Sequence, residues 1–429
     1  MYTDLESADL KALKTRLDDE YAHIKARGLA LNMARGKPAA DQLDLSMPLL
    51  TTVTGIDDCF SEDGTDCRNY GVLDGIPEAK RLMAGMLDDK PENVIVGGAS
   101  SLTLMYNAVS RYVAHGALGS TPWGKLDNVK WLCPVPGYDR HFLVTESFGF
   151  ELIPVPMNED GPDMDFVEQA VANDASVKGI WCVPKYSNPA GTTYSDEVVD
   201  RLAGMKCAAE DFRIFWDNAY CVHHLFDEAE NQDQLKDIAQ ACAAAGNPNR
   251  YLKFASTSKI TFPGAGISAI AASGENIAEI KSLISPAVIG YDKMNQLRHV
   301  KFLKDADGIA KHMSKHAAII RPKFELVQEK LAAGLAEVDG CSWTNPRGGY
   351  FISFDAPRGC AKRIVELAKA AGVTMTGAGA TWPCKNDPYD TNIRIAPTLP
   401  PLEELSVALD VFVCCVKLAA VEKLLEDKE

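Results

Sequence analysis

Short apolar runs alternate with helical stretches through the middle of the chain, and this alternation constrains the fold more than any other feature. The runs are rich in β-branched and aromatic residues and lie between Glu92 and Ser256. They read ENVIVGG, NVKWLCP, FELIPVP, VKGIWCVP, FRIFWD and RYLKFAS. Strands separated by helices are joined by crossover connections and therefore lie parallel in one sheet. The sequence predicts an α/β fold with a mainly parallel sheet.

The two ends of the chain follow a different pattern. A helix is predicted from about Ser7 to Arg27, with Gly28 as its stop signal, and a long helix around residues 315–335. Strands are predicted near GGYFISFD, VTMTG and NIRIAP. A chain of 429 residues exceeds the practical size of one core. We therefore expect a large domain over residues 51–300 and a smaller α+β domain over 301–429, which the N-terminal segment 1–50 joins.

Charge and hydropathy exclude two classes of partner. The formal net charge is −15 and no block of basic residues occurs, which argues against a nucleic-acid partner. The N-terminal MYTDLESADL lacks the basic start and apolar run of a secretory signal, so a cytoplasmic protein is expected. The apolar stretch from Leu405 to Leu425 contains Asp410 and Lys417, which is typical of a buried helix rather than a membrane span.

Cysteine and histidine spacings favour no metal site. The twelve cysteines are scattered without a CxxC pair, so they are expected to be reduced residues of the core. His312 and His316 stand one helical turn apart, as zinc ligands do, but no HExxH glutamate or third ligand accompanies them. We therefore predict no bound metal.

Polar clusters follow three of the predicted strands. Tyr186 to Gly191 follow one strand, Asp217 to Tyr220 end the next, and Ser256 to Lys259 follow a third. In open α/β sheets, ligands bind outside the carboxyl ends of the strands. The three clusters are therefore expected to converge on one cleft.

Four residues of these clusters suggest a particular chemistry. Lys259 lies between an apolar strand and the glycine-rich TFPGAG, and desolvation there would lower the pKa of its amine toward the nucleophilic range. Asp217 could cap a helix or pair with an arginine, or it could accept a hydrogen bond from a protonated pyridine nitrogen. Tyr220 and Asn188 can donate to a ring phenolate oxygen.

The ordered set SNPAG, DNAY and STSK, followed by the arginine of NIRIAP, resembles class I aminotransferases of pyridoxal-5'-phosphate (PLP) fold type I. The resemblance runs from RGKP to the C-terminal helix, and ARGKP with STSKITFPGAG looks most like a divergent subgroup of aspartate aminotransferases. It implies a seven-stranded large-domain sheet, bound PLP, amino-acid and 2-oxo-acid substrates, and a homodimer with shared active sites.

The resemblance also implies roles for individual residues. Lys259 would be the catalytic Schiff-base lysine, Asp217 the partner of the pyridine nitrogen, and Tyr220 and Asn188 the partners of O3'. Arg394 would bind the substrate α-carboxylate, with Gly36 and Asn188 beside it. The remaining implied cofactor contacts are Tyr138 stacked on the ring, the phosphate-binding Gly98, Ala99, Ser100, Ser101, Ser256 and Ser258, and Tyr70 reaching the phosphate of the neighbouring subunit.

The chain departs from the family pattern at Ile267, where most class I enzymes carry a phosphate-binding arginine. The donor is expected to be aspartate or glutamate, with Arg35 and Lys37 as candidate cations for a second carboxylate. Rival hypotheses are an aminotransferase for aromatic or aliphatic amino acids, and a β-lyase or cyclopropane-forming synthase. A transcriptional regulator with an aminotransferase-like domain is disfavoured, because RGKP is reached by residue 35 and leaves no room for a winged-helix domain.

Overall fold

The computed structural model describes residues 1–428, which form thirteen α-helices and thirteen β-strands. The helices are α1 (Ser7–Ala26), α2 (Ala40–Asp44), α3 (Pro77–Leu87), α4 (Ser101–His115), α5 (Asp139–Ser147), α6 (Met164–Ala172), α7 (Asp196–Gly204), α8 (Ile238–Ala244), α9 (Gly274–Ile284), α10 (Lys293–Leu303), α11 (Ala306–Leu335), α12 (Ala361–Ala370) and α13 (Leu402–Glu426). The strands are β1 (Leu31–Asn32), β2 (Val94–Val96), β3 (Lys130–Val135), β4 (Glu151–Asn158), β5 (Gly161–Pro162), β6 (Val177–Cys182), β7 (Arg213–Asp217), β8 (Tyr251–Ser256), β9 (Ser268–Ala272), β10 (Ser342–Trp343), β11 (Ile352–Asp355), β12 (Val373–Thr374) and β13 (Asn392–Ile395).

Eight strands of the described residues form the main sheet, in the order β2-β9-β8-β7-β6-β3-β4-β5. From β8 to β4 every neighbouring pair is parallel, whereas β9 is antiparallel to both β2 and β8. This confirms the predicted α/β fold. The sheet has one strand more than the seven expected, because the two-residue β5 pairs with the end of β4 at the edge.

Helices cover both faces of the main sheet. On one face, Leu104 and Met105 of α4 pack against the sheet residues Trp131 and Phe215. On the other, Val199 of α7 belongs to the cluster that the opposite sheet side chains form. Every residue of β6 and β8 is buried, which explains why these strands appear in the sequence as continuous apolar runs. The residues that follow them are therefore held by a rigid support.

The N-terminal segment packs on the last third of the chain. The strand β1 pairs in parallel with β12, and α1 packs against α13. The Tyr21 hydroxyl donates a hydrogen bond to the Leu367 carbonyl at 2.8 Å. A second sheet, β10-β11-β13, is antiparallel and lies in the same part of the sequence as α12 and α13. The helix α1 ends as predicted, and Gly28 after it has a φ of +61°, which favours glycine.

Two further predictions concern the C-terminal region. The long helix α11 begins at Ala306, nine residues earlier than predicted from residue 315, and the Asp305 carboxylate accepts a hydrogen bond from the Gly308 amide at its start. The helix α13 buries Leu405, Phe412 and Leu418. No helix in residues 1–428 is long and apolar enough to cross a membrane.

Candidate active site

A cleft opens at the carboxyl edge of the main sheet. The strands β3, β6, β7 and β8 are parallel, and β2 has the same direction because both β2 and β8 are antiparallel to β9. Their carboxyl ends therefore meet at one edge. The residues that line the cleft are Ser100, Ser101, Leu102, Met105, Tyr138, Val183, Asn188, Asp217, Ala219, Tyr220, Ser256, Ser258 and Lys259.

Lys259 lies just after β8 with its amine between aromatic rings. Its Nζ is 4.9 Å from the ring centroid of Tyr220 and 5.9 Å from that of Tyr350. Burial lowers the pKa of the Lys259 amine; the nearby Asp217 charge opposes this shift and the Arg394 charge adds to it. The neutral, nucleophilic form of the amine is therefore more populated than it is for an exposed lysine.

Asp217 is the last residue of β7 and its two carboxylate oxygens have different surroundings. Its Oδ2 lies 2.9 Å from Nε2 of His141, and both side chains are buried. The imidazole of His141 stacks on the Trp181 ring at 4.5 Å between centroids. The other oxygen, Oδ1, is buried and has no hydrogen-bond partner among residues 1–428. An unpartnered buried acceptor at the cleft fits a ligand that carries an N–H donor.

The two tyrosines of the cleft are held as neutral phenols. Burial raises the pKa of Tyr220 well above its usual range, and the neighbouring Tyr138 and Asp217 add to this shift. Burial, followed by the Asp217 charge, raises the pKa of Tyr138 to about 12. Both hydroxyls remain protonated at neutral pH and can donate hydrogen bonds.

Arg394 reaches the cleft from the second sheet, on β13. Its Nη1 contacts Oδ1 of Asp139 at 3.1 Å and Oδ1 of Asn188 at 3.3 Å, and its Nη2 contacts the Thr376 hydroxyl at 3.4 Å. The Phe351 ring covers one face of the guanidinium, with its centroid 4.8 Å from Cζ. The guanidinium is thus held in one orientation beside Asn188.

Gly36 packs against the same phenylalanine. A Cβ atom at Gly36 would lie 2.4 Å from Cζ of Phe351, so a side chain at this position would force the phenylalanine ring to shift. Phe351 therefore connects Gly36 to Arg394, two residues that the sequence predicts to be neighbours.

Hydroxyl and backbone groups cluster where α4 begins. Ser100 and Ser101 stand at the N-terminus of α4. The Ser256 hydroxyl donates to that of Ser258 at 3.0 Å, and the Ser258 hydroxyl donates to the Ala99 carbonyl at 3.3 Å. A helix N-terminus with nearby hydroxyls is suited to bind a phosphate.

A family model described as aspartate amino-transferase matches residues 5–428. This chain belongs to the aspartate aminotransferase family. A Mycolicibacterium smegmatis protein described as an aminotransferase is 50% identical over 429 residues and covers 100% of both chains. An aspartate aminotransferase of Corynebacterium glutamicum is 49% identical over 404 residues, which are 94% of this chain and 92% of that protein.

Solved structures agree with the family assignment. The crystal structure of an aspartate transaminase from Corynebacterium glutamicum superposes with a TM-score of 0.95 at 47% identity and covers 99% of each chain. An α-aminoadipate aminotransferase from Thermus thermophilus, solved with N-(5'-phosphopyridoxyl)-L-leucine, shares the fold with a TM-score of 0.71 at 19% identity and covers 94% of this chain and 95% of that one. The chain is therefore an aminotransferase, and the resemblance inferred from its motifs is confirmed.

Several residues that the sequence analysis singled out lie outside the cleft lining of this aminotransferase. Tyr70 is 82% exposed. The side chains of Arg35 and Lys37 are exposed on the loop around Gly36. Ile267 is buried in an apolar cluster. Arg394 also lies beyond that lining and meets it through its contact with Asn188.

A buried hydrogen-bonded chain lies behind the lysine of this aminotransferase. Nε2 of His312 is 2.8 Å from the Ile260 carbonyl oxygen, and Nε2 of His316 is 3.1 Å from Nε2 of His312. The Gln42 side-chain amide contacts both His316 and the Tyr350 hydroxyl, which in turn donates to the Lys259 carbonyl at 3.4 Å. No group of three or more potential ligands in residues 1–428 could hold a metal ion.

Sequence reasoning missed His141, Phe351 and Thr376. His141 follows Tyr138 by one helical turn in PGYDRH, so its spacing could have placed it at the cleft. Nothing in the sequence near Phe351 or Thr376 marks them, because each meets Arg394 only through the packing of distant segments.

Proposed function

We propose that this aminotransferase uses PLP, takes its amino group from aspartate or glutamate and passes it to a 2-oxo acid such as 2-oxoglutarate. The observation that carries the proposal is the pairing, in one cleft, of the buried Lys259 amine with the unpartnered Oδ1 of Asp217. When bound, PLP supplies an aldehyde that condenses with amines and a cationic ring that withdraws electrons from the substrate Cα. A pyridinium N–H would provide the donor that Oδ1 lacks.

Each residue of the cleft has a role in this proposal. The Lys259 amine holds the cofactor and afterwards moves the proton from the substrate Cα. Asp217, which His141 orients, keeps the ring nitrogen protonated. Tyr220 and Asn188 donate to the ring oxygen, and Tyr138 stacks on the ring.

Phosphate and carboxylate are assigned to different ends of the cleft. Hydroxyls of Ser100, Ser101, Ser256 and Ser258, with the amides around Ala99 at the start of α4, would hold the phosphate. Arg394 would bind the α-carboxylate with two parallel N–H donors, close to Asn188 and the backbone of Gly36. A substrate held at both ends presents its Cα–H bond to Lys259 in a fixed direction.

Quaternary structure, domains and location complete the proposal. The chain would form a homodimer in which Tyr70, exposed in one subunit, reaches the phosphate site of the other. Residues 51–300 would form the large domain, and residues 301–429 with segment 1–50 the small one. The enzyme would act in the cytoplasm.

The central test is the Lys259→Ala variant. Purified wild-type protein should be yellow, and borohydride should fix the cofactor to it covalently. The variant should lose both the trapped cofactor and turnover, since it lacks the amine that bonds to the aldehyde. Transamination by the variant at the parent rate would refute the assignment.

The donor is tested with a panel of amino acids against 2-oxoglutarate. The names of the relatives at 49% and 47% identity support aspartate. Replacing Arg35 and Lys37 singly with Met should raise KM for aspartate more than for alanine in at least one variant, because a lost cation leaves the second carboxylate unpaired. Equal increases in KM for aspartate and alanine would mean that both residues only maintain the structure of the loop. Ammonia and pyruvate released without an oxo acid would indicate a β-lyase instead.

A further inference from the structure

The arginine proposed to bind the substrate α-carboxylate already contacts a carboxylate of its own chain. Oδ1 of Asp139 lies 3.1 Å from Nη1 of Arg394, and the side chains are 30% and 7% exposed. Asp139 is the first residue of α5 and directly follows the cleft residue Tyr138. Its carboxylate therefore lies next to the position where the substrate carboxylate is expected.

Few of the N–H groups of Arg394 are open to a ligand. A guanidinium has five N–H donors in a planar fork. The Nε of Arg394 is buried and has no hydrogen-bond acceptor within residues 1–428. The Phe351 ring covers one face. A carboxylate that meets the guanidinium end-on pairs with Nη1 and Nη2, and Nη1 is the atom that Asp139 contacts.

We propose that Asp139 is an internal competitor for Arg394: its carboxylate pairs with the guanidinium between turnovers and is displaced by the α-carboxylate of the amino acid or 2-oxo acid. The inference rests on the proposed function, because it takes Arg394 as the carboxylate-binding residue. The Asp139 carboxylate can leave Arg394 at a small cost in free energy. A carboxylate in the first turn of a helix still interacts favourably with the helix dipole after it turns toward solvent. Asp139 thus sets the affinity for every substrate that carries this carboxylate.

The size of the effect follows from the strength of the pair. When only part of the enzyme has Arg394 free, the apparent affinity falls by that fraction. A partly exposed ion pair typically has an interaction that corresponds to a factor of about 1.5 to 5 in an equilibrium constant, and the negative charge of Asp139 also repels the incoming carboxylate. Asp139→Asn removes the negative charge on which both contributions depend.

Two aminooxy reagents separate this effect from the chemistry of the cofactor. Aminooxyacetate and methoxyamine carry the same aminooxy nitrogen, which replaces the Lys259 nitrogen on the cofactor carbon and releases the lysine amine without oxidation or reduction. Only aminooxyacetate has a carboxylate. The second-order rate constants of both reagents with the holoenzyme are measured from the change in cofactor absorbance. Their ratio, aminooxyacetate over methoxyamine, should rise about two- to five-fold in Asp139→Asn.

Three further variants test whether the ratio reports on the contact between Arg394 and the carboxylate of the reagent. Arg394→Lys should lower the ratio, because a lysine cannot bind a carboxylate with two parallel donors. Asp165→Asn removes an exposed carboxylate that pairs with Arg201 away from the cleft, and it should leave the ratio at the wild-type value. Asp139→Ser provides a second variant with the same expected rise.

The outcomes separate the inference from the proposed function. An unchanged ratio in Asp139→Asn and Asp139→Ser would overturn the inference, and a lower ratio would overturn it by making Asp139 a residue that orients Arg394. A second readout needs no reaction with the cofactor: propionate should raise the Tm of Asp139→Asn more than that of the wild type, and equal rises would also overturn the inference. If methoxyamine leaves the absorbance of the wild-type protein unchanged, the protein does not carry the proposed cofactor. The proposed function and the inference that rests on it would then both be wrong.

Discussion

The two carboxylate oxygens of Asp217 have different partners: one contacts the protein, and the other is open to a ligand. Its Oδ2 is engaged by His141, and its Oδ1 is buried without a partner among the described residues. Leaving a buried acceptor unpaired is costly, so such an atom commonly marks a site that a ligand or a water molecule completes. The stacking of His141 on Trp181 fixes the direction in which the free oxygen points.

Replacing Asp217 with Asn tests whether its carboxylate acts on a bound ligand. The variant keeps the size of the side chain but removes the charge that would hold a ring nitrogen protonated. We expect the cofactor to bind still, while the half-reaction with the amino acid slows by about 10²–10⁴-fold, the range typical of a positioned acid–base group. Stopped-flow absorbance with a saturating donor measures this rate, and a parent-like rate would show that Asp217 serves only the fold.

Individual residues were predictable where they follow a strand and not where packing brings them in. Lys259, Asp217 and Asn188 line the cleft because each lies at or after the carboxyl end of a parallel strand, and an alternating sequence reveals those ends. The contact of Asp139 with Arg394 spans 255 residues, and no local pattern encodes it. The loop cations Arg35 and Lys37 were inferred from their neighbourhood to Gly36, and the structure leaves their side chains exposed.

The helix α11 carries two histidines that are buried as neutral groups. Burial, with the His312 charge adding to it, lowers the pKa of His316 to about 4, and burial also lowers the pKa of His312. In an unfolded chain both would titrate near 6.5. Between pH 6.5 and 4 the unfolded state therefore binds more protons than the native state, and falling pH favours unfolding. The stability that the neutral histidines provide is present above pH 6.5 and is lost as pH falls toward 4.

The His316→Gln variant should show a weaker pH dependence of stability. Glutamine cannot titrate but can still hydrogen-bond to Gln42 and His312, so the slope of Tm against pH between 6.5 and 4.5 should be shallower than in the wild type. The exposed His115, replaced by Gln, is the matched control and should keep the wild-type slope. Parallel curves for His316→Gln and wild type, recorded by thermal unfolding in a pH series, would contradict the expectation.

Helices and strands were predictable where their sequences contain a clear apolar run or apolar periodicity. The strands β3, β6, β7 and β8 are almost wholly buried and were found as apolar runs. The strand β9 was missed because its sequence SAIAA consists mostly of residues with weak strand preference, and its place between β2 and β8 compensates for this. The start of α11 was placed too late, although the buried Ile309, Met313 and Ala317 repeat every four residues. Asp307 and Gly308 in its first turn are residues more typical of a loop.

At the scale of the whole molecule, exposed apolar side chains favour the proposed dimer. Ile56, Phe60, Tyr70 and Ile289 are between 41% and 82% exposed, and the backbone near Tyr70 contacts Gly290. Large apolar side chains that gather on one region of a surface commonly mark a site of protein association. These residues are our candidates for the contact that brings Tyr70 to the neighbouring site.

Mixing two impaired variants tests the shared site. A Lys259→Ala subunit lacks the amine but has Tyr70, and a Tyr70→Ala subunit has the amine but lacks the tyrosine. In a mixed dimer one site would combine the intact Lys259 of one chain with Tyr70 of the other, so subunit exchange should restore turnover above the sum of the separate variants. Light scattering establishes the dimer mass, and activity that does not exceed that sum would show that each site is complete within one chain.

The pairing of β1 with β12 has a consequence for how the protein forms during synthesis. Tyr21 binds a carbonyl 346 residues further along the chain, so the first helix leaves the ribosome long before its partners exist. The eight strands of the main sheet, by contrast, are complete once residue 272 has emerged. The central sheet can therefore assemble before the N-terminal segment finds its partners. Contacts between residues so far apart in the sequence form slowly. A nascent chain stopped after α9 should expose Leu10 and Leu17 of α1 to chaperones, because their apolar partner α13 has not yet been made.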